Sequence, residues 1–281
     1  MTVEIRLGDN LPLLRRWPAQ SVQLIYVDPP FNTGATQRLA RLQVKADPDG
    51  HRTGFGGRRY SAKKGREMAY EDAFDDYMGF LRERFEQARR VLTDDGSFFC
   101  HVDPHESHYV KVLCDEIFGR RSFMGEIIWA YDFGGRSKKR WPQKHDTIFW
   151  YAVDPKRYTF RFEDMERIPY MAPGLVGKDK AARGKTPTDV WWHTIVPTNG
   201  KERTGYPTQK PLGVLRRIVS VHSNPGDVVM DFFAGSGTTG EAAAQAGRNA
   251  VLIDSNPDDI AVMRRRLAQF EPVVVDEDAT Q

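Results

Sequence analysis

The chain has few cysteines, no long hydrophobic run and little net charge. Its two cysteines, Cys100 and Cys114, are too few for a disulfide framework and lack the spacing of a zinc site, so we expect buried thiols in a reducing compartment. No apolar stretch approaches the roughly 20 residues that a membrane-spanning helix needs, and the N-terminus has no signal-peptide core. The 41 basic residues nearly balance the 38 acidic ones. We therefore expect a cytoplasmic protein without a membrane partner.

Predicted strands alternate with predicted helices along most of the 281 residues, a length that fits one large domain with or without an insertion. Apolar, β-branched runs predict strands at 3–7, 22–27, 97–103, 126–131, 147–152, 226–233 and 249–254. A helical period of apolar residues predicts helices at 11–17, 77–92, 107–118 and 212–222, from 241 onward, and at 257–270. This alternation is typical of an α/β fold with a parallel sheet.

An acid, two prolines and an aromatic residue end the predicted strand at 22–27. Asp28 lies at the carboxyl end of that strand, where open α/β sheets place their ligands. Pro29 and Pro30 have no N–H, so this backbone is stiff and offers only acceptors. Beside the ring of Phe31, these oxygens suit a planar ring that carries an exocyclic NH2 group. A strand that simply ends in a turn has the same residues, so the tetrapeptide alone leaves both interpretations open.

A glycine-rich turn follows the predicted strand at 226–233. Gly235, Gly237 and Gly240 have the spacing of a dinucleotide-binding turn, which makes an NAD-dependent oxidoreductase one interpretation. Asp231, just before the glycines, would repel a pyrophosphate but attract the ammonium group of an amino acid. Asp254, at the end of the next strand, is placed to accept hydrogen bonds from two ribose hydroxyls. The turn therefore favours S-adenosylmethionine over NAD.

Two basic segments accompany these turns. Residues 35–66 contain nine basic and two acidic residues and are predicted to form a flexible loop attached to the Asp28 corner, and residues 134–141 form a second basic loop. Basic residues interleaved with Trp141, Trp191 and Trp192 are typical of a nucleic-acid surface, although a solvated loop-rich subdomain has a similar composition. The candidate DNA-binding residues are Arg58, Arg59, Lys63, Lys64, Arg136, Lys138, Lys139 and Arg140.

The order of these blocks resembles the amino-methylating DNA methyltransferases of the β arrangement, in which the catalytic motif precedes the cofactor motif. The resemblance covers almost the whole chain. It rests on Gly8-Asp9-Asn10, Asp28-Pro29-Pro30-Phe31-Asn32-Thr33-Gly34, Arg90-Val91-Leu92 with Asp95-Gly96-Ser97, His145-Asp146, Tyr206-Pro207-Thr208-Gln209-Lys210-Pro211 and Asp231-Phe232-Phe233-Ala234-Gly235-Ser236-Gly237-Thr238-Thr239. Phe232 is a departure, because the family usually has proline there, and the basic segment 35–66 is longer than expected.

The resemblance implies a fold and a set of site residues. The fold is a Rossmann-like, class I S-adenosylmethionine-dependent methyltransferase with a mostly parallel seven-stranded sheet, a circularly permuted motif order and an inserted target-recognition region. The implied divisions are a catalytic half at 1–132, the insert at 133–204, a cofactor half at 205–270 and a tail at 271–281 that we expect to be disordered. Asp28, Pro29, Pro30 and Phe31 are the implied catalytic residues. The implied cofactor-binding residues are Asp9, Thr208, Lys210, Asp231, Phe233, Gly235, Ser236, Gly237, Thr238 and Asp254.

The implied function is methyl transfer from S-adenosylmethionine to N6 of an adenine flipped out of double-stranded DNA. Cytosine N4 is a similar amine and stays an alternative. An NAD-dependent oxidoreductase and a non-catalytic DNA-binding module are more distant alternatives. No metal is expected, and His101, His105 and His108 are predicted to lie on the approach to a helix rather than at a zinc site. A homodimer, and a location at the nucleoid of a bacterial or archaeal cell, are further expectations from the resemblance.

Overall fold

Strands and helices alternate along the described part of the chain. The computed structural model describes residues 1–32, 37–46, 49, 52–53, 59–70, 74–197 and 199–277. The strands are β1 (Val3–Leu7), β2 (Val22–Val27), β3 (Gln37–Ala46), β4 (Arg52–Thr53), β5 (Arg59–Tyr70), β6 (Leu92–Val102), β7 (Phe123–Ala130), β8 (His145–Ala152), β9 (Val190–Trp192), β10 (Val228–Asp231), β11 (Asn249–Asp254) and β12 (Val273–Asp276). The α-helices are α1 (Asn10–Arg16), α2 (Tyr77–Val91), α3 (Ser107–Phe118), α4 (Lys178–Arg183), α5 (Leu212–His222), α6 (Thr238–Gln245) and α7 (Pro257–Arg266).

The main sheet of the described residues has nine strands in the order β12-β1-β11-β10-β2-β6-β8-β7-β9. Strand β8 is antiparallel to its neighbours β6 and β7, and the other neighbouring pairs are parallel. The predicted α/β fold with a mostly parallel sheet is confirmed. Two short edge strands, β12 and β9, extend the seven expected strands.

Strand β2 lies at the centre of this sheet and is covered by helices on both faces. All six residues of β2 are buried, as expected for a strand covered on both faces. One face packs against α5, α6 and α7, and the other packs against α1, α2 and α3. Strand β10 is the parallel neighbour of β2, with Met230 paired to Ile25. The carboxyl ends of these two strands therefore meet at one edge, and Asp28 and Asp231 lie at that edge.

The basic segment 35–66 is not the predicted loop. Within it, β3 and β5 pair as long antiparallel strands, with β4 on the other side of β5. The register shifts between Ala40 and Leu42, which marks a bulge. Leu42, Val44 and Ala46 alternate with polar residues, as in a strand. The many charged residues around them keep the average hydrophobicity of the segment low, so a strand was not predicted there.

The tail is more ordered than predicted. Residues Val273–Asp276 form β12, which pairs in parallel with β1. Three consecutive valines favour a strand, and the edge of β1 provides backbone partners. Glu277 then forms ion pairs with Arg6 and Arg16. The prediction of disorder is wrong for this part of the tail, while residues 278–281 lie outside the described residues.

The predicted insert at 133–204 contains two strands of the main sheet. Strand β8 lies between β6 and β7, and β9 forms the edge beside β7. Because β7 runs in the same direction as β2, the segment 131–144 that follows β7 leaves the sheet at the same edge as Asp28. The division of the chain into two halves and an insert stays a prediction. Among the described residues, none of the helices has the length and apolar character to cross a membrane.

Candidate active site

A cavity of about 560 Å³ opens at the edge where β2 and β10 end. Its wall contains the four predicted catalytic residues, Asp28, Pro29, Pro30 and Phe31. It also contains the predicted cofactor-binding residues Asp9, Thr208, Lys210, Asp231, Phe233, Gly235, Ser236, Thr238 and Asp254. Residues separated by up to 245 positions in the sequence, from Asp9 to Asp254, therefore border one space.

At the Asp28 corner, which is the end of β2 with Asp28, Pro29, Pro30 and Phe31, a lysine pairs with the carboxylate. Lys210 forms an ion pair with Asp28 Oδ2, and the same ammonium lies 5.0 Å from the centre of the Phe31 ring. Asp28 Oδ1 is buried and has no hydrogen-bond partner among the residues that the structure describes. Tyr77 Oη donates to the Pro30 carbonyl at 2.6 Å, which fixes the second proline. Lys210 was predicted at the cofactor, and in this arrangement it contacts Asp28, the residue predicted to be catalytic.

At the Asp231 corner, which is the end of β10, the carboxylate accepts hydrogen bonds from uncharged groups. Asp231 Oδ2 accepts from Thr239 Oγ1 at 2.6 Å, and Asp231 Oδ1 accepts from the Phe233 N–H at 3.0 Å. Burial raises the pKa of Asp231 to about 7, and these two hydrogen bonds oppose the rise. Gly237 follows as the N-cap of α6 with φ of +74°. A Cβ at Gly237 would lie 2.8 Å from Met263 Cγ, so both the backbone conformation and the space call for glycine.

Asp254 and Asp259 form a pair of buried acids beside the glycine turn. Asp254 accepts from the Gly235 N–H at 2.8 Å, and burial raises its pKa. Burial and the charge of Asp254 raise the pKa of Asp259 to about 8. Tyr206 Oη donates to Asp259 at 3.1 Å. Neither Asp259 nor Tyr206 is among the predicted site residues: an acid in the first turn of a helix is an ordinary helix-dipole residue, and Tyr206 is predicted only as part of the Tyr206–Pro211 block.

A buried arginine, also missed, links the N-terminal motif to the cofactor turn. Arg84 donates to Asn10 Oδ1 at 2.6 Å, and its guanidinium lies 3.7 Å from the centre of the Phe80 ring. Asn10 in turn donates to the Phe232 carbonyl at 2.6 Å. Asp9 both caps α1, through the Leu11 N–H, and pairs with Arg84 at 3.1 Å. Asp9, predicted to bind the cofactor, therefore caps a helix and also lines the cavity.

Arg266 supports the glycine turn from α7. Its Nη1 donates to Thr238 Oγ1 at 2.9 Å, and its Nε donates to Glu241. Thr238 Oγ1 lies 3.1 Å from the Lys210 carbonyl, to which it donates. The Tyr206–Pro211 motif and the glycine turn are thereby joined, although 25 residues lie between Pro211 and Gly237 in the sequence. The position of Arg266 in an arginine-rich helix end contains no signal of this role.

His101 lies on β6, not on the approach to a helix as predicted, and it is fully buried. Its Nδ1 lies 2.7 Å from Tyr26 Oη, and its Nε2 lies 3.3 Å from Asp146 Oδ2. His105 is exposed and bonds to Asp103. Within the described ranges, His, Cys, Asp and Glu side chains form no cluster of three or more that could hold a metal.

The candidate DNA-binding residues divide into two groups. Arg136, Lys138, Lys139 and Arg140 are exposed on the segment 131–144, and Arg136 pairs with Asp132 at 2.6 Å. Lys63 and Lys64 lie on β5, Arg59 is exposed at its start, and Arg58 lies outside the described residues. Trp141 and Trp192 are exposed. Trp191, predicted to be part of the same surface, is buried, and its indole N–H donates to the Thr188 carbonyl.

Comparisons with known proteins agree on one family. The family model described as DNA methylase, of the N6/N4 methyltransferases, matches residues 22–264. DNA adenine methyltransferase YhdJ of Escherichia coli (strain K12) is 31% identical over 273 residues, which cover 92% of this chain and 81% of that protein.

Solved structures of low sequence identity share the fold. PvuII DNA methyltransferase (cytosine-N4-specific) aligns with a TM-score of 0.65 at 16% identity, over 95% of this chain and 86% of that one. TTHA0409, a putative DNA modification methylase from Thermus thermophilus complexed with S-adenosyl-L-methionine, aligns with a TM-score of 0.61 at 20% identity, over 98% and 99%. The match to the family model covers most of the chain. The chain therefore belongs to the N6/N4 DNA methylase family and is a DNA methyltransferase with S-adenosylmethionine as its methyl donor.

Proposed function

We propose that this protein methylates N6 of adenine in double-stranded DNA, and that Asp28 is the residue that recognises the target amine. The observation that carries the proposal is Asp28 Oδ1, a buried carboxylate oxygen without a partner among the described residues, in the wall of the cavity that also contains Asp231. A buried acceptor without a donor is costly, so such an atom marks the place of a missing donor. An exocyclic N–H supplies that donor.

The chemistry of the opposite wall fits the methyl donor. S-adenosylmethionine is a cationic amino acid attached to a nucleoside, and the wall has buried acids where such groups need partners. Burial raises the pKa of Asp231, and the ammonium group of a ligand supplies a counter-charge for the ionised form. We assign the ribose hydroxyls to Asp254, and the methionine portion to Gly235, Ser236, Gly237 and Thr238, with Asp9, Thr208 and Phe233 completing the wall. When bound, the donor supplies an activated methyl group.

In the proposed mechanism the protein supplies orientation and charge. Lys210 occupies one oxygen of Asp28, so Oδ1 is directed to the amine, and the Pro29 carbonyl accepts the second N–H. These bonds leave the nitrogen lone pair facing the methyl group, and Phe31 stacks on the extruded base. The positive charge that develops on the nitrogen is stabilised by Asp28 at short range. Alignment of nitrogen and methyl in one cavity accounts for a large further part of the acceleration.

Adenine is favoured over cytosine by the relative of higher identity. YhdJ, 31% identical to this chain, is described as an adenine methyltransferase. The cytosine-N4-specific PvuII enzyme is 16% identical, which supports the fold and not the base. Either base has to leave the helix stack, because its amine is inaccessible to in-line attack inside a duplex.

The basic segments are the proposed DNA surface. The segment 131–144 leaves the sheet at the same edge as Asp28, so exposed basic residues on it can hold phosphates beside a flipped nucleotide. We expect the triple variant Lys138→Ala/Lys139→Ala/Arg140→Ala to reduce the slope of log affinity against log salt by about 2 to 3. The matched control is Arg120→Ala/Arg121→Ala/Lys156→Ala, three exposed basic residues at the opposite edge. Equal slopes for both triple variants would remove segment 131–144 from the interface.

The arm formed by β3 and β5 is a second proposed part of that surface. Neutralising Arg58, Arg59, Lys63 and Lys64 together is expected to weaken DNA binding and to flatten its salt dependence. An unchanged slope would exclude the arm. The family acts on DNA, which supports a location at the nucleoid of a bacterial or archaeal cell. A homodimer is proposed from the family resemblance, and sedimentation velocity tests it.

Transfer of labelled methyl from S-adenosylmethionine to genomic DNA that lacks the modification tests the proposed function. Nucleoside mass spectrometry identifies the product. N6-methyladenine is the expected product. N4-methylcytosine would keep the mechanism and overturn the choice of base, and absence of label in DNA despite donor binding would overturn the proposed substrate.

A further inference from the structure

Tyr26 lies between the two acidic corners of the cavity. It precedes Asp28 by two residues on β2, so both residues belong to the same face of the sheet. The pairing of Met230 with Ile25 brings Asp231 beside Tyr26 on the neighbouring strand. Tyr26 lines the cavity together with both acids. Burial, followed by the charges of Asp28 and Asp231, raises the pKa of Tyr26 well above its ordinary value, so the group is a hydroxyl and not a phenolate.

A buried hydrogen-bond chain fixes the direction of that hydroxyl. Asp146 accepts from Tyr131 Oη at 3.1 Å and lies 3.3 Å from His101 Nε2. Burial acts to raise the pKa of Asp146, but the hydrogen bond and the charge of His101, the charge of Lys210 and the bond from Tyr131 hold that pKa below its ordinary value. An ionised carboxylate only accepts, so His101 Nε2 has to carry a proton. An imidazole that is protonated at Nε2 alone accepts at Nδ1, here from the Tyr26 hydroxyl 2.7 Å away, so the oxygen lone pairs of Tyr26, a residue of the cavity wall, face away from His101.

We propose that Tyr26 is a further catalytic residue whose oxygen accepts C–H···O contacts from the activated methyl group. The inference rests on the proposed function, because it requires a sulfonium donor in the cavity. Hydrogens on a methyl next to a cationic sulfur carry partial positive charge, and C–H···O contacts add a small stabilisation each. Tyr26 forms no covalent bond and loses no proton: the nitrogen lone pair bonds to the methyl, the electron pair of the broken C–S bond stays on sulfur as a neutral thioether, and the methylated nitrogen releases one proton to solvent. His101 and Asp146 are positioning residues that keep the acceptor side of Tyr26 toward the methyl.

The first test compares a cationic with a neutral ligand. Tyr26→Phe is expected to raise the Kd of S-adenosylmethionine about two- to fivefold, because it removes a favourable contact to a positive group. The Kd of S-adenosylhomocysteine, which lacks both the methyl group and the sulfur charge, is expected to change less than about twofold. Calorimetry measures both constants. Tyr151→Phe is the matched control, since Tyr151 is equally buried and its hydroxyl donates to Asp115 at 2.7 Å on another part of the molecule.

The second test changes the direction in which the Tyr26 O–H points and leaves Tyr26 itself unchanged. In Asp146→Asn the amide NH2 can donate to His101 Nε2, which moves the ring proton to Nδ1 and turns the Tyr26 O–H toward the cavity. The preference for S-adenosylmethionine over S-adenosylhomocysteine is expected to fall further than in Tyr26→Phe, with normal thermal unfolding. If Tyr26→Phe does not fold, this variant decides alone. A preference within twofold of wild type in the folded variants overturns the inference, whereas a wild-type protein that binds neither ligand or methylates no DNA overturns the proposed function instead.

Discussion

The carboxylates at the two acidic corners of the cavity, Asp28 and Asp231, are stabilised by different kinds of partner. Asp28 is neutralised by the ammonium of Lys210, and one of its oxygens is left without a partner among the described residues. Asp231 has donors at both oxygens but no ion pair with a cation from the described part of the chain, and burial raises its pKa to about 7. A carboxylate paired with a permanent cation has a counter-charge before a ligand binds. A carboxylate that lacks one exchanges a proton for a cationic ligand.

The two corners also differ in the stiffness of their backbones. Pro29 and Pro30 make the Asp28 corner stiff, and the Tyr77 hydroxyl holds the Pro30 carbonyl. The Asp231 corner instead uses Gly235 and Gly237 in the left-handed region, at φ of +47° and +74°. A stiff corner suits the alignment of a nucleophile, and a glycine turn suits close approach of a ligand to the backbone.

The largest effect is expected from Asp28. We predict that Asp28→Ala lowers the methylation rate by more than about a thousandfold, because the charge on the nitrogen and the orientation of the amine both depend on this carboxylate. S-adenosylmethionine binding is expected to survive, because the donor contacts belong to the other corner. Single-turnover methylation and calorimetry measure the two properties. Asp28→Asn, which keeps the shape, is expected to be nearly as inactive, and joint loss of binding and transfer in Asp28→Asn would show that the corners are not separate.

Replacement of Lys210 tests whether this lysine serves Asp28 or the cofactor. Lys210→Gln is expected to lower the single-turnover rate about ten- to a hundredfold, because it leaves the buried Asp28 charge unpaired and its oxygens unoriented. The affinity for S-adenosylmethionine is expected to change little. Lys111→Gln, which breaks the partly buried pair with Asp115 elsewhere in the molecule, is the control. A Lys210→Gln variant impaired only in donor affinity would return Lys210 to the cofactor-binding role that the sequence predicts.

The proton on Asp231 predicts a pH dependence of cofactor binding. A cationic ligand favours the ionised acid, so binding expels the proton, and affinity increases as the pH rises through the pKa near 7. The Kd of S-adenosylmethionine is expected to fall about fivefold between pH 6 and pH 7. Calorimetry in two buffers of different ionisation enthalpy measures the proton release. Asp231→Asn should abolish this dependence, and its persistence would assign the titration to Asp259, whose pKa is about 8.

The smallest effect concerns the glycine turn. Gly237→Ala is expected to lower the free energy of unfolding by about 1–2 kcal/mol for the left-handed backbone and by a further 1–3 kcal/mol for overlap with Met263. Gly247→Ala is the control, because Gly247 has φ of +75° and no atom within 4 Å of the position of the new Cβ. Urea unfolding measures both variants. Equal losses would mean that Met263 moves aside and that space at the turn is not limiting.

Local patterns were sufficient for the elements that build the two corners. The apolar runs before Asp28 and Asp231 predict β2 and β10, and the glycine spacing predicts the turn before α6. Buried parallel strands and glycine turns restrict sequence strongly, since each position has one environment. Strands β3, β5 and β12 lie in segments that were predicted to be irregular, because strands of a small sheet or at a sheet edge place weak demands on composition.

The side chains that support the site could not be predicted in this way. Arg84, Arg266 and His101 come from α2, α7 and β6, and each acts on a motif that lies at least 28 residues away in the sequence, as the bonds to Asn10, Thr238 and Tyr26 illustrate. None has a spacing that distinguishes it from an ordinary helix or strand residue. Their roles depend on contacts across the sheet.

The sequence by itself determined the family, the α/β class, the order of the two motifs and many of the residues that border the cavity. Short-range chemistry is enough for these, because an acid before two prolines and a turn of glycines are local arrangements. Only the tertiary structure decided that Lys210 pairs with Asp28, and that Tyr26 lies between the corners with its hydroxyl oxygen 2.7 Å from His101 Nδ1. Charge pairing and hydrogen-bond direction depend on distances between chain segments that only the folded sheet brings together.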